Sequence, residues 1–392
     1  MKNIILFDEK STRDNLLPLT FTRPVAGLRF GICTIAEKWQ RAITGNYSFL
    51  ATDYLQAKFP ISLNGDDNIF IAGNICPNEE LISAIENLPF NSAVTHGDTL
   101  IAFRGNINDF NSRKWAQETT IENSPLVIKM LYDIFTLNDV ALREDFNAIT
   151  AGRKSQPLSS SNTLIGNPDM IFIEEGATVE GAILNTNNGP IYIGKDAEIM
   201  EGSCIRGGLA LCEHGIINMG TKIYGATTIG PYCKVGGELN NVVMQSYSNK
   251  AHDGFLGNAV IGEWCNIGGG TSASNLKNDY TEIKLWNYPA HRFLRTGLQF
   301  CGLIMGDHSK AGINCMFNTA TVVGVGVNIH GSGFPRNFVA SFSEGSSAGF
   351  TDVSLTKFFD IAKRMMARRN IELTEIDREI FQSIYNIADT YK

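Results

Sequence analysis

From Ile193 the chain places an aliphatic residue at every sixth position: Ile199, Ile205, Leu211, Ile217, Ile223, Ile229 and Val235. The cadence slips after Val235 and resumes as Phe255, Ile261, Ile267 and Ala273. A second interruption follows, and it returns as Met305, Ala311, Phe317, Val323 and Ile329. Ile173 and Val179 are an earlier fragment. A helix repeats at about 3.6 residues and a strand at about 2, so neither explains a period of six. A short strand plus a turn does, if each hexad forms one side of a triangular coil and points its aliphatic residue inward. Glycine follows the inward residue at Gly194, Gly230, Gly262, Gly268 and Gly324, where a tight corner has no room for a Cβ. The pattern predicts a parallel β-helix over residues 165–345. Its interior is closed, so function has to sit on breaks in the repeat or between coils of neighbouring subunits.

Residues 1–150 have another texture. "NIILF" (3–7), "YSFLAT" (47–52) and "NIFIAGN" (68–74) read as short buried strands. Helical patterns such as "GICTIAEKWQRAI" and "NEELISAIENL" lie between them. Strand-helix alternation predicts an α/β, Rossmann-like domain, a parallel sheet with helices on its faces. "SPLVIKMLYDIF" (124–135) reads as a helix capped by Ser124 with Pro125 in its first turn. The polar, serine-rich stretch 151–164 is the expected linker. Residues 346–392 carry two amphipathic helical patterns, one on Leu355, Phe358, Phe359, Ala362 and Met366, the other on Ile376, Ile380, Phe381, Ile384 and Ile387. They are expected to cap the β-helix or pack between subunits.

Composition narrows the class. The chain has 392 residues and a formal net charge of -7, which argues against general affinity for nucleic acid or an anionic membrane. No apolar run is long enough to span a bilayer, and the first residues read as a strand rather than an export signal. The eight cysteines are scattered without a CxxC pair, so buried reduced thiols are expected. Together these point to a cytoplasmic protein.

The break between Val235 and Phe255 contains Glu238, Asn240, Lys250, His252 and Asp253. Lys222 lies just before it, and Asn266 and Asn275 just after. A loop histidine can take a proton near neutral pH, and a carboxylate beside it can hold its ring and tautomer. A lysine can neutralise a phosphate, and asparagines can hydrogen-bond sugar hydroxyls or a carbonyl. The same residue types also suit a loop histidine that only bonds backbone.

"AHDGFLGNAVIGEWCNIGGGTSASN" resembles the acetyltransferase domain of bifunctional N-acetylglucosamine-1-phosphate uridyltransferases/glucosamine-1-phosphate acetyltransferases. "LLPLTFTRPVAGLRFGICTIAEKW", "GPIYIGKDAEIMEGSCIRG" and "LQFCGLIMGDHSKAGINCMFNT" look like an alternative, shortened bacterial form of that family. The resemblance implies a reduced nucleotidyltransferase-like domain, then a left-handed β-helix assembled as a homotrimer, with acetyl-CoA along a groove between subunits. It implies His252 as the general base on a sugar amine, assisted by Glu238 or Asp253. Lys222 would hold the sugar phosphate, with Asn266 and Asn275 orienting the sugar and acetyl group. Gly270, Thr271, Gly312 and Asn314 would contact the coenzyme. Phe255, Leu276 and Asn240 stand where the family has tyrosine, tyrosine and lysine.

For the first domain the resemblance implies a sugar-1-phosphate and a nucleoside triphosphate as substrates, Mg²⁺, and loss of pyrophosphate. Arg13, Thr20 and Arg23 fall on the phosphate-binding pattern, although its glycine-rich loop is missing. Asn74 stands where the family places a magnesium-binding aspartate, a weaker ligand for a hard cation; Asp8 is the candidate replacement. The product implied is a nucleotide sugar such as UDP-N-acetylglucosamine. One alternative is a glucose-1-phosphate thymidylyl- or uridylyltransferase whose β-helix only trimerises. Another is an inactive scaffold. A zinc site built from His252, His291, His308 and His330 is a further alternative without the expected ligand spacing.

Overall fold

The computed structural model describes residues 1–391. The chain packs as two compact units. One comprises Met1–Leu16, Thr22–Leu28 and Cys33–Met130; the other takes Leu17–Phe21, Arg29–Ile32 and the chain from Leu131 on.

The first unit is a six-stranded sheet of β1 (Lys2–Phe7), β2 (Gly45–Leu50), β3 (Asn68–Ala72), β4 (Ser92–His96), β5 (Thr99–Gly105) and β6 (Gln117–Thr120), in the order β2-β1-β3-β5-β4-β6. β2, β1 and β3 run parallel; β5 is antiparallel to both β3 and β4. Ile4, Ile5 and Leu6 are wholly buried, as expected of an apolar strand covered on both faces. Helices α1 (Lys10–Asn15), α2 (Ile35–Ala42), α3 (Glu79–Glu86) and α4 (Ile107–Ser112) connect the strands. In α2 the Thr34 hydroxyl accepts from the Glu37 amide while Glu37 reaches back to the Thr34 amide, a capping box.

The helix expected over 124–135 does not form. Its first half is extended: Val127 bridges Ile75, the Cys76 amide donates to the Leu126 carbonyl, and the Ile128 amide donates to the Asn74 carbonyl. Backbone pairing beyond the end of β3 overrides the local helical pattern. Only α5 (Asp133–Thr136) is helical there, and α6 (Asn138–Thr150) follows it.

The second unit is a left-handed parallel β-helix with three faces. One interior column reads Val179, Ile199, Ile217, Val235, Lys250, Ile267, Ala311, Ile329 down successive coils. A second reads Leu184, Ile205, Ile223, Leu239, Leu256 and Ala273. These residues are at most 5% exposed. The break expected after Val235 is therefore no loose flap. Strands Glu238–Met244 and Asn249–Lys250 carry the coil through it. Shorter turns shift the spacing, so the sixfold cadence is lost although the coil is kept. Phe255 points outward opposite Glu238, and Leu256 fills the interior in its place. The second interruption is a true excursion, with an antiparallel hairpin of Lys284–Asn287 and Arg292–Arg295.

Seven of the eight cysteines are buried, Cys204 is exposed, and all are free thiols. The chain closes with α7 (Leu355–Ala367), capped by Ser354, and α8 (Glu375–Ala388), whose Thr374 and Asp377 form a second capping box. Phe358, Ala362 and Met366 bury the inner side of α7. No helix among the described residues is long and apolar enough to cross a membrane.

Candidate functional site

In the first unit a cavity of about 700 Å³ opens at the carboxyl ends of β1 and β3. Neighbouring crossovers leave these two strands in opposite directions, which makes a crevice where sheets of this kind hold ligands. Its walls come from Glu9 and α1 (Ser11, Thr12, Asn15), from Ala72 at the end of β3 and Asn74 just past it, from the β4–β5 turn, and from Arg113, Trp115, Glu118 and Lys129. Arg113 pairs with Glu9 at 2.6 Å. Glu118 accepts from the Thr95 hydroxyl and the Trp115 indole, each at 2.9 Å.

The sequence-predicted residues divide here. Asn74 reaches the cavity, with its Nδ2 donating to the Ile128 carbonyl at 3.0 Å. Arg13, Arg23 and Thr20 are not among the lining residues. Arg13 donates to Asp14 and to the Tyr54 hydroxyl at 2.8 and 2.7 Å. Arg23 is 5% exposed; Thr20 is fully buried and belongs to the other unit. Reading by motif missed Arg113 and Lys129, which lie far along the chain from the phosphate-binding pattern.

Asp8 Oδ1 accepts from the Val25 amide at 2.9 Å, and its Oδ2 is buried without a hydrogen-bond partner. Burial pushes this carboxyl up to about 7, against the Val25 amide and the Arg13 charge, which lower it. Asp8 does not line the cavity. No group of three His, Cys, Asp or Glu that could hold a metal occurs among the described residues. An amide at position 74 and a buried carboxyl shifted toward its protonated form at position 8 are both weak ligands for magnesium.

In the β-helix the predicted residues gather around one corner of the prism. His252 and Asp253 occupy the turn between the strand Asn249–Lys250 and the strand beginning at Phe255, and both are exposed. Gly270 and Thr271 occupy the same corner one coil on, and Gly312 and Asn314 the next. The Gly270 amide donates to the Asp253 carbonyl and the Asn314 amide to the Gly269 carbonyl, each at 2.8 Å. A Cβ on Gly270 would lie 2.0 Å from Asn314 Oδ1, so glycine is required where that amide crosses the corner. The Thr271 hydroxyl, 2% exposed, donates to the Gly312 carbonyl at 2.9 Å and serves to hold coils together.

Lys222 and Glu238 flank this corner as register neighbours on one face. The Tyr224 hydroxyl donates to Glu238 at 2.6 Å. Lys222, Tyr224 and Glu238 line a groove of about 610 Å³ along that face, together with Ile165, Ile183 and Arg206. Asn266 lies on the adjacent face in a separate pocket. Asn275 donates to Asn258 at 2.8 Å. The His252 imidazole makes no hydrogen bond or ion pair among the described residues, and it lines neither the groove nor the pocket.

The coil carrying His252 holds a residue whose place the sequence concealed. Lys250 occupies an interior slot, opposite Val235, at 1% exposure. Its ammonium donates to the carbonyls of His252 (2.6 Å) and Gly236 (3.2 Å). Burial lowers its pKa to about 8, with Asp253 acting the other way. The only advance signal was the missing aliphatic residue at this step. Of the other histidines, His308 is buried against the rings of Trp264, Phe358 and Phe381.

Residues 4–154 match the family model described as sugar nucleotidyl transferase. The segment that matches this model is followed by the parallel β-helix with its six-residue repeat. The chain is similar to a bifunctional sugar-1-phosphate nucleotidylyltransferase/acetyltransferase of Sulfurisphaera tokodaii, 28% identical over 164 residues, which are 41% of this chain and 40% of that protein. It is also similar to the bifunctional protein GlmU of Synechococcus elongatus, 24% identical over 223 residues, covering 50% of this chain and 44% of the relative. The matches thus span less than half the length of these curated relatives. Among solved structures, the N-acyltransferase AntD of Bacillus cereus aligns over 54% of this chain and 92% of its own, at 13% identity and a TM-score of 0.24. That score is too low to define a shared architecture.

Proposed function

We propose that this chain is a two-site transferase acting on sugar phosphates. The first unit would join a sugar-1-phosphate to a nucleotide with release of pyrophosphate. The β-helix would transfer an acetyl group from acetyl-CoA to a sugar amine. The observation that carries the nucleotidyl reading is the cavity at the ends of β1 and β3, inside the segment that matches the family model. Arg113 and Lys129 are the cations placed to meet phosphate oxygens there. Mg²⁺ would arrive on the nucleotide phosphates, and when bound it would neutralise phosphate charge.

For acyl transfer, His252 is the proposed base. It is exposed, unbonded and at a corner shared by Asp253, Gly270 and Asn314. The amine proton would pass to the imidazole as nitrogen attacks the thioester carbonyl, and the thiol would leave. Lys222 and Glu238 would contact the sugar phosphate and the amine side of the substrate. UDP-N-acetylglucosamine is the proposed product. The supporting likeness to bifunctional nucleotidylyltransferase/acetyltransferases covers only part of those proteins.

In a second reading the β-helix only assembles subunits around a thymidylyl- or uridylyltransferase. A single assay separates the two. Purified protein is incubated with acetyl-CoA and glucosamine-1-phosphate, and free thiol is followed. Thiol release lost by at least a hundredfold in His252→Ala supports acyl transfer. No release from wild type, with pyrophosphate formed from a nucleoside triphosphate and a sugar phosphate, supports the second reading.

A further inference from the structure

The coils around His252 share a tie that its own coil lacks. Ser203, Thr221 and Thr271 hold equivalent buried positions, each just before the strand that opens the next face. Their hydroxyls donate to the carbonyl of a residue that follows an inward side chain: Ser203 and Thr221 to Asn218, Thr271 to Gly312. In the two coils between, register puts Gly237 and Gly254 at this position. A Cβ on Gly237 would lie 2.7 Å from the Gly254 carbonyl oxygen, and one on Gly254 would lie 2.1 Å from the Thr271 carbonyl oxygen. No serine or threonine fits there without a shift of the backbone.

Lys250 supplies the donor instead. From its interior slot the ammonium reaches the Gly236 carbonyl, which follows the inward Val235, and the His252 carbonyl. Stability does not ask for a lysine here, since burying an ammonium costs free energy that an apolar side chain of similar volume avoids. The ammonium completes the turn that carries His252. The Lys250 carbonyl accepts from the Gly236 amide at 2.7 Å, Asp253 from Gly270 at 2.8 Å, and Gly254 from Glu238 at 3.1 Å. The Ala251 carbonyl accepts from the side-chain amide of Asn218, two coils back, at 2.7 Å. Every carbonyl from Lys250 to Gly254 is thus held, two of them by side chains. The imidazole of His252 makes no hydrogen bond or ion pair among the described residues. It rests against Gly269 of the next coil, where an added Cβ would lie 3.2 Å from His252 Cβ. Its direction is therefore set by the backbone beneath it.

We propose that Lys250 and Asn218 are positioning residues for His252: by holding the carbonyls of its turn they fix where the imidazole points. The inference rests on the reading of His252 as the base of acyl transfer. Lys250 is interior and does not meet a substrate, so its loss acts on the chemical step and spares binding.

The test is thiol release by the full chain with acetyl-CoA and glucosamine-1-phosphate, for wild type, K250M and N218A. It is paired with ¹³C relaxation of the His252 ring, whose resonance is assigned by its absence in H252A. In K250M kcat is expected to fall about tenfold and in N218A severalfold, with KM for both substrates within about twofold of wild type. The His252 ring should gain fast motion in both variants. K250Q, which keeps an amide donor in the slot, should recover part of kcat. Asn218 lies outside the interior, so N218A carries the test should K250M not fold. Unchanged kcat in the folded variants, or a KM that rises while kcat holds, overturns the proposal. No thiol release from wild type would sink the acyl-transfer reading instead. Ring motion then decides the positioning role, and a His252 ring equally ordered in wild type and variants overturns it.

Discussion

At position 250 an aliphatic slot is filled by an ammonium group, and the consequence is a testable dependence on pH. Lys250 loses its proton near pH 8 in the folded chain and near 10.5 when exposed. Between those values the unfolded chain binds a proton that the folded one does not, so this group makes stability rise with pH across that window. Lys310, also lowered by burial to about 8, adds in the same sense. Lys250→Met is expected to flatten part of the rise in denaturation midpoint between pH 8 and 10. An unchanged slope would mean the ammonium is solvated. Asp8 behaves in the opposite direction. Folded, it keeps its proton to about pH 7, against 3.8 for an unburied carboxyl. Its contribution is full at low pH and is lost as pH rises through 7. At about 1.4 kcal/mol per unit the whole effect is at most a few kcal/mol. Carboxyl ¹³C spectra should show one resonance titrating near pH 7 that is absent in Asp8→Asn.

At the level of the element, coil stacking sets the demand on glycine. A Cβ on Gly230 would sit 1.5 Å from the Gln245 carbonyl oxygen of the next coil. Since the oxygen belongs to the backbone, no side chain can move aside. Gly230→Ala is expected to cost several kcal/mol in unfolding free energy. Gly220→Ala, which meets nothing within 4 Å but has φ +68°, should cost about 1 kcal/mol. Comparable losses in the two would show that coil spacing is not the constraint. Thr34→Ala, which breaks the capping box of α2, should cost about 1 kcal/mol, measured by chemical denaturation.

For the whole molecule the question is assembly. Ile165, Ile183 and Tyr224 are exposed on one face of the prism, and a groove runs along it. That is the face on which subunits of the proposed homotrimer would pack, and it also carries Lys222 and Glu238. Ile183→Glu is expected to shift the mass measured by light scattering toward the monomer. It should lower thiol release at least tenfold while leaving pyrophosphate release from the first unit near wild type. A trimer that persists in Ile183→Glu would move the interface to another face.

The amino-acid sequence by itself determined the coil and the α/β unit. A sixfold spacing of aliphatic residues and buried apolar strands are local patterns that only these architectures satisfy. The resemblance also singled out His252, Gly270 and Asn314, and the fold brings their turns to one corner of the prism. Three things the sequence could not decide. Residues 124–132 gave up a helical pattern to pair beyond the end of β3. The coil after Val235 stayed intact although its cadence was lost, because shorter turns preserve stacking while changing the spacing. Lys250 went inward and Arg113 came to pair with Glu9, since only the folded chain brings together groups more than a hundred residues apart. Local propensity is written residue by residue, but register and the meeting of distant charges are settled by packing, where backbone hydrogen bonds and burial outweigh any single segment's preference.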